Sequence, residues 1–310
     1  MSASSVLGYA WVFPDLDDRR ELAATLGANP ALSLIFGPAR DLLTADGFNA
    51  WRAGGLGAFF AALMAIFIVV RNSRADEDSG QAELLASGVM GRQTRLAAAL
   101  IMATLASIVL GIVSWLITVA CGGGWLSSLA LSATFTASGL IFAGVAGIAA
   151  QIGSDARTAN SIAVATLGIA YIVRGYFGAS EASAWTAWLT PFGWLEQVRP
   201  ATGNNPWPLL PALALAIVPA AVALVLHARR DFGLGMIAPR RGPARGGWVA
   251  GVWGLAVRIN QDPRHQPAVA RPQRHRHQPR LVRPGLGHPG HAGPDRRRVR
   301  RLPPSRRHLT

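Results

Sequence analysis

Residues 96–152, LAAALIMATLASIVLGIVSWLITVACGGGWLSSLALSATFTASGLIFAGVAGIAAQI, decide the fold. They contain two apolar runs, 96–120 and 125–152, and neither run has a charged residue. As a helix, each run is long enough to cross a hydrocarbon layer of about 30 Å. Only Cys-Gly-Gly-Gly separates the runs, so we expect two antiparallel membrane helices that lie side by side.

Three further apolar runs without charged residues extend this pattern, at 54–70, 161–173 and 209–226. Each run alone is compatible with a buried helix of a soluble protein, but five of them leave too little polar chain to cover them. The sequence therefore predicts an all-α, polytopic membrane helix bundle with about five transmembrane helices, and the lipid bilayer is an expected partner.

Arginines mark one side of this bundle. Four lie in the connection 71–95, one in 153–160 and five in 227–247, whereas 121–124 has none and 175–208 has one. Because basic loops are retained on the cytoplasmic side, we expect the first three connections to be cytoplasmic. The protein is then a multi-pass protein of the cell (plasma) membrane.

Composition divides the chain into four segments. Residues 1–53 are expected to form an N-terminal interfacial or extracytoplasmic segment, the remnant of a first span, and 54–227 the transmembrane domain. A cytoplasmic linker, 228–257, and a disordered Arg/Pro/His-rich tail, 258–310, follow.

The net charge of +14 belongs mainly to the tail. Fourteen of the thirty arginines, and only two acidic residues, lie beyond Val257. The body of the chain therefore gives no reason to expect a nucleic-acid partner. Abundant Arg, Pro and His without lysine is typical of GC-rich DNA translated out of frame, and we hypothesise a frameshift near Arg258. The alternative is a genuine disordered tail that binds anionic lipid or RNA.

The residue types present exclude several kinds of chemistry. The chain has no lysine, so it has no standard P-loop for ATP. His227 is the one histidine before the tail and has no plausible catalytic partner nearby, and one cysteine, Cys121, gives no thiolate metal site. We expect no enzyme activity, cofactor or metal. The spans hold no carboxylate or histidine to relay protons, which argues against a proton-driven antiporter but leaves a secondary transporter open.

The connection 71–95, RNSRADEDSGQAELLASGVMGRQTR, is charged and amphipathic. Asp78 and Gln81 have the spacing of a capping box, which predicts a short helix. Four residues share one face of that helix: Leu84, Leu85, Gly88 and Val89. We expect this face to dock on a soluble protein partner. The alternative is a helix that lies on lipid headgroups.

Small residues recur at four-residue spacing in the run 125–152, at Gly139, Ala143 and Gly147. Such a stripe allows a second helix to approach closely, so we expect it to be a helix-packing surface. The pattern is common in membrane proteins and indicates nothing about a substrate.

Several stretches together resemble the permease subunits of ABC-2 type exporters, in particular the actinobacterial polyketide antibiotic exporter or tetronasin-resistance permease group. The matching stretches are NPALSLIFGP (29–38), DGFNAWR (46–52), RNSRADEDSGQAELL (71–85), QIGSDARTANSIA (151–163), WLTPFGWLEQVRP (188–200) and ARRDFGLGMIAPRRGPA (228–244). The resemblance covers residues 5–257 and only the first half of such permeases, which have two related halves.

This resemblance implies a permease subunit of an ATP-driven exporter of hydrophobic compounds such as antibiotics or drugs. A separate ABC ATPase subunit would hydrolyse ATP, and Glu77, Glu83 and Arg92 would lie near its contact with the loop, beside Leu84 of the apolar face. A second permease half or a homodimer would complete the transporter. Two alternatives remain, a truncated non-transporting remnant of such a permease and a secondary drug transporter.

Overall fold

The computed structural model describes residues 2–75, 94–180 and 184–229. These residues form helices and no strand. The α-helices are α1 (Ser2–Val12), α2 (Leu16–Gly27), α3 (Pro30–Phe36), α4 (Ala45–Val70), α5 (Thr94–Ala120), α6 (Trp125–Ile152), α7 (Ala156–Ala179), α8 (Pro191–Glu196) and α9 (Leu209–Arg229). A π-helical turn, Arg71–Ala75, continues α4, and a 3₁₀ turn, Ala184–Leu189, precedes α8.

Five helices in the described residues, α4, α5, α6, α7 and α9, are long and apolar enough to cross a membrane. The prediction of an all-α, multi-pass membrane bundle is therefore confirmed for this part of the chain. The linker beyond Arg229 and the tail 258–310 lie outside the described residues.

Two spans are longer than their apolar runs because polar residues cap them. The helix expected at 54–70 already begins at Ala45, where the Thr44 hydroxyl accepts a hydrogen bond from the Gly47 amide at 3.0 Å. The helix expected at 161–173 begins at Ala156, where Asp155 accepts one from the Thr158 amide at 2.9 Å. Such N-caps satisfy the free amides at the start of a helix. A hydropathy pattern does not detect them.

Helix α6 is the centre of the bundle. In its most apolar 18-residue window 67% of the residues are buried, against 22% in α7 and in α9. It packs against α4, α5 and α9, and the Ser138 hydroxyl donates to the Ala58 carbonyl of α4 at 2.7 Å. The other long helices keep broad apolar faces outward, as expected for helices surrounded by lipid.

The bundle has two ends that are useful to name. At the hairpin end α5 turns into α6 through residues 121–124, and at the loop end α4 leads into the residues that precede α5. Helix α1 lies at the hairpin end against α4 and α5, where the Ser2 hydroxyl contacts Thr118 Oγ1 at 2.9 Å and accepts from Asn49 Nδ2 at 2.8 Å. Helix α1 is thus part of the packed bundle.

Candidate functional site

The four residues expected to contact an ATPase, Glu77, Glu83, Leu84 and Arg92, all lie outside the described residues. The structure does describe the turn that leads into this loop. In this π-helical turn the Asn72 side-chain amide and the Ser73 hydroxyl donate to the carbonyls of Ile68 and Val69 at 2.8 and 2.6 Å. Single π-turns of this kind are frequent at functional sites.

Arg74 joins this turn to the end of the central helix. Its side chain is 1% exposed, Nε donates to the Ala150 carbonyl at 2.7 Å, and Nη2 donates to the Gly153 carbonyl. Both carbonyls belong to the C-terminal end of α6, where a positive charge is favoured by the helix dipole. We call this arrangement the loop-end latch.

The latch extends to α9 through a polar pair that the sequence did not indicate. The Gln151 side chain is buried, and its Nε2 donates to the Gly147 carbonyl at 3.3 Å. Its Oε1 lies 3.1 Å from Nδ1 of His227 in α9. His227 therefore connects α9 to α6. The loop-end latch ties α4, α6 and α9 together directly beside the charged loop.

Replacing Arg74 with alanine is expected to lower the free energy of unfolding by about 2 kcal/mol, because two helix-end carbonyls lose a charged donor in a buried place. Unfolding with SDS in mixed micelles measures this loss. The exposed neighbour Arg71 supplies the control, and Arg71→Ala is expected to change the free energy by less than about 0.5 kcal/mol. Equal losses in the two variants would contradict the latch.

The hairpin end holds a buried ion pair. Arg174, near the end of α7, donates to Glu196 Oε1 of α8 at 2.9 Å and to the Ile35 carbonyl of α3 at 2.9 Å. Its guanidinium also lies over the Tyr171 ring, 4.4 Å from the centroid. The Arg174 side chain is 2% exposed and that of Glu196 is 22% exposed, so the pair joins three elements with little water around the arginine.

Two contacts hold the partners of this ion pair in place. The Phe192 ring of α8 packs on Phe142 of α6, with ring centroids 5.5 Å apart, which fixes the helix that carries Glu196. The Trp51 indole of α4 donates to the Gly37 carbonyl at 3.0 Å. Gly37 has a φ of +90°, and a Cβ there would lie 2.1 Å from Glu196 Oε1, so only glycine fits at this turn.

A cavity of about 70 Å³ opens beside the ion pair. We call it the arginine cavity, because its lining includes Arg40, Arg174 and Arg199. Burial raises the pKa of the Glu196 carboxyl, while Arg174 and Arg40 oppose that shift. Burial, and then repulsion from Arg199, lower the pKa of Arg40. The guanidinium groups of Arg40 and Arg199 are therefore close enough for their positive charges to repel each other.

A second, larger space is a lateral groove of about 400 Å³ between α5, α6 and α9. Its lining is almost entirely apolar, with the hydroxyls of Ser132 and Thr136 as exceptions. The Thr136 hydroxyl already donates within the protein, to the Ser107 carbonyl at 3.2 Å. The groove offers apolar surface and no charged group.

The small residues of α6 face two neighbouring helices. A Cβ on Gly139 would lie 2.3 Å from Ser107 Oγ of α5, and one on Gly147 would lie 2.9 Å from the Ala223 Cβ of α9. Ala143 is 3% exposed. Gly144, which the four-residue spacing omitted, also faces α9. The need for small side chains at these positions stays a prediction.

Sequence reasoning missed the ion pair and the arginine cavity. One signal was available, because Arg174 directly follows the apolar run 161–173 and a charge at that depth needs a partner. Its partner Glu196 lies within WLTPFGWLEQVRP (188–200). That stretch resembles the permease family, and nothing else in it predicted an ion pair.

Four membrane-length helices around a buried fifth, capped by a short helix that carries one residue of an ion pair, define a multi-pass membrane protein without a nucleotide-binding domain in its described residues. Comparison with known proteins specifies the class further. Residues 19–227 match the family described as "Multidrug efflux system permease Rv1217c, C-terminal domain". The chain belongs to this family of efflux permeases, which are transport components and not enzymes.

A similar protein is the multidrug efflux system permease protein Rv1217c of Mycobacterium tuberculosis (strain ATCC 25618 / H37Rv). The two are 39% identical over 252 residues, which are 81% of this chain and 45% of the relative. The chain thus spans less than half the length of the relative. The expectation of a permease is confirmed at the level of the efflux permease family. The resemblance was to the first half of such permeases, whereas the matching family is described as a C-terminal domain.

Proposed function

We propose that this chain is the membrane-spanning permease part of an ATP-driven, ABC-2 type exporter in the plasma membrane. Its substrates are hydrophobic compounds such as antibiotics or drugs, and the polyketide antibiotic exporters are the subgroup we favour. The family match over residues 19–227 carries this proposal, because it covers almost all of the five long helices. The relative is named a multidrug efflux permease, and this name supports export as the direction of transport and drugs as the substrate class.

A separate ABC ATPase subunit would drive the cycle, since this chain has no lysine for a P-loop. We infer that the ATPase contacts Glu77, Glu83, Leu84 and Arg92. Movement of that loop would reach the bundle first at Arg74, whose side chain bonds to the end of α6. Because α6 packs against the other four long helices, a shift at its end would be transmitted to the bundle.

A second permease half or a second copy of this chain would complete the transport path. Exposed apolar side chains follow α5 from Ile101 to Ile117, which suits either lipid or another helix bundle. The lateral groove has the apolar lining that a path for hydrophobic compounds requires.

Reversing two acidic charges in the loop tests the coupling. The double variant Glu77→Arg with Glu83→Arg is expected to weaken co-purification of the ATPase at least about tenfold, because facing charges then repel. ATP-dependent efflux should fall in parallel. The matched control is Asp18→Arg with Glu21→Arg, two exposed acids of α2, which should leave both measurements unchanged.

Three outcomes distinguish the alternatives. Unchanged ATPase binding and efflux in the loop variant would contradict the docking role of the loop. Efflux that a protonophore abolishes while ATP is maintained would instead favour a secondary transporter. Absence of both efflux and an associated ATPase would favour a non-transporting remnant.

A further inference from the structure

We propose that the arginine cavity binds the anionic head of an amphipathic organic molecule, with the guanidinium groups of Arg40 and Arg199 as direct contacts. The step that makes this molecule a substrate of the exporter rests on the proposed function. The binding site itself stands on the geometry of the cavity and is testable without transport.

Two of the three arginines that line the cavity, Arg40 and Arg199, have no acidic partner among the described residues. Both lining carboxylates are already occupied: Asp41 accepts from the Leu43 amide at 2.9 Å and the Thr44 hydroxyl at 2.5 Å, and Glu196 accepts from Arg174. Arg199 bonds only to the neutral Gln197 side chain, at 3.0 and 3.3 Å, within the described residues. Arg40 forms no ion pair in that part of the chain.

Two residues that line the cavity each have a buried polar atom without a hydrogen-bond partner in the described part of the chain. Among the residues that the structure describes, neither Arg174 Nε nor Thr202 Oγ1 has a hydrogen-bond partner, although both atoms are buried. Arg174 and Thr202 both line the cavity. Buried polar atoms are rarely left unpaired, since each costs about 1–3 kcal/mol.

The turn that carries Arg199 is held in a conformation that costs energy. Arg199, Ala201 and Asn204 have φ values of 50°, 68° and 47°, in a region that side chains other than those of glycine and asparagine rarely adopt. The turn is locked by the Asn205 amide, which donates to the Val198 carbonyl at 2.7 Å, and by the Ala201 amide, which donates to Asn204 Oδ1 at 2.9 Å. A strained turn that several hydrogen bonds hold in place is typical of binding sites.

The rest of the cavity suits an apolar body. Phe36, Trp51 and Phe192 contribute aromatic rings to the lining, and the volume of about 70 Å³ is several times the roughly 10–15 Å³ that one water requires. Aromatic walls with a few convergent charged groups are the usual design of a site for a small amphipathic ligand.

Titration calorimetry on the full chain in phosphatidylcholine nanodiscs tests the inference with butanoate, which is small enough for the cavity, and its uncharged analogue 1-butanol. We expect the acid to bind at least about tenfold more tightly than the alcohol, and Arg40→Gln or Arg199→Gln each to weaken the acid about tenfold while leaving the alcohol unchanged. Thermal unfolding of each variant checks that the bundle is intact.

Arg52→Gln is the matched control, because Arg52 is exposed at the same end of α4 and does not line the cavity. Equal binding of acid and alcohol, or equal effects of Arg52→Gln and Arg199→Gln, would overturn the proposal. Nanodiscs with phosphatidylglycerol identify the source of the anion. If this lipid competes with the acid in the wild type but not in Arg199→Gln, the occupant is a lipid headgroup; if it does not compete, the occupant is a soluble amphiphile.

These results separate the two proposals. Selective binding of the acid by a chain that never recruits an ATPase would support the site and contradict the exporter. A functional exporter that binds acid and alcohol equally would retain the proposed function and remove this site.

Discussion

Gly139→Leu is expected to lower the free energy of unfolding of the bundle by about 3 kcal/mol, because an added side chain overfills a closely packed contact. Even a Cβ at this position would lie 2.3 Å from Ser107 Oγ and 2.9 Å from Ser107 Cβ. The Ser107 hydroxyl is bonded to the Ala103 carbonyl at 2.7 Å, so its rotation away would break that bond. The helices α5 and α6 must therefore move apart.

The same substitution at Gly168 is the matched control, since a Cβ there meets nothing within 4 Å. Gly168→Leu in α7 is expected to change the free energy by less than about 1 kcal/mol. SDS unfolding in mixed micelles compares the two variants. Equal losses would mean that α5 and α6 do not need a small residue at Gly139, and that the spacing of Gly139, Ala143 and Gly147 has no packing role.

Glu196→Ala is expected to lower the free energy of unfolding by about 2–3 kcal/mol, because it leaves the Arg174 charge buried without its partner. The figure lies at the low end for buried pairs because the Glu196 side chain is 22% exposed and water offsets part of the loss. Adding Arg174→Met to Glu196→Ala should recover part of the stability, since it removes the uncompensated charge. Thermal and SDS unfolding of both single variants and the double variant measure the coupling.

A surface pair provides the comparison. Arg20 and Asp17 are 2.8 Å apart, with side chains 66% and 92% exposed, so Asp17→Ala is expected to cost less than about 0.5 kcal/mol. A double variant of Arg174 and Glu196 that loses as much as the sum of its single variants would show that the two residues stabilise the bundle independently.

The long helices were predictable in number and approximate position, whereas the ion pair and the latch were not. The run 125–152 matches α6 at both ends, since glycines precede and follow it and no polar cap extends it. At α4 the prediction began nine residues late at 54, because Thr44 caps an earlier start of the helix by accepting a hydrogen bond from the Gly47 amide. The packing role of the stripe at Gly139, Ala143 and Gly147 stays a prediction, and the four-residue spacing did not include Gly144, where a Cβ would also lie close to α9.

By itself, the sequence determined the multi-pass all-α class, the antiparallel hairpin of α5 and α6, and the lack of a P-loop lysine. Hydrocarbon thickness, turn length and residue type set these features locally. Tertiary structure alone decided that Arg174 meets Glu196, 22 positions away, and that Arg74 reaches Ala150, 76 positions away. Such contacts depend on how each helix is rotated and crossed by its neighbours, and apolar runs that are hydrophobic on all faces leave that rotation undetermined.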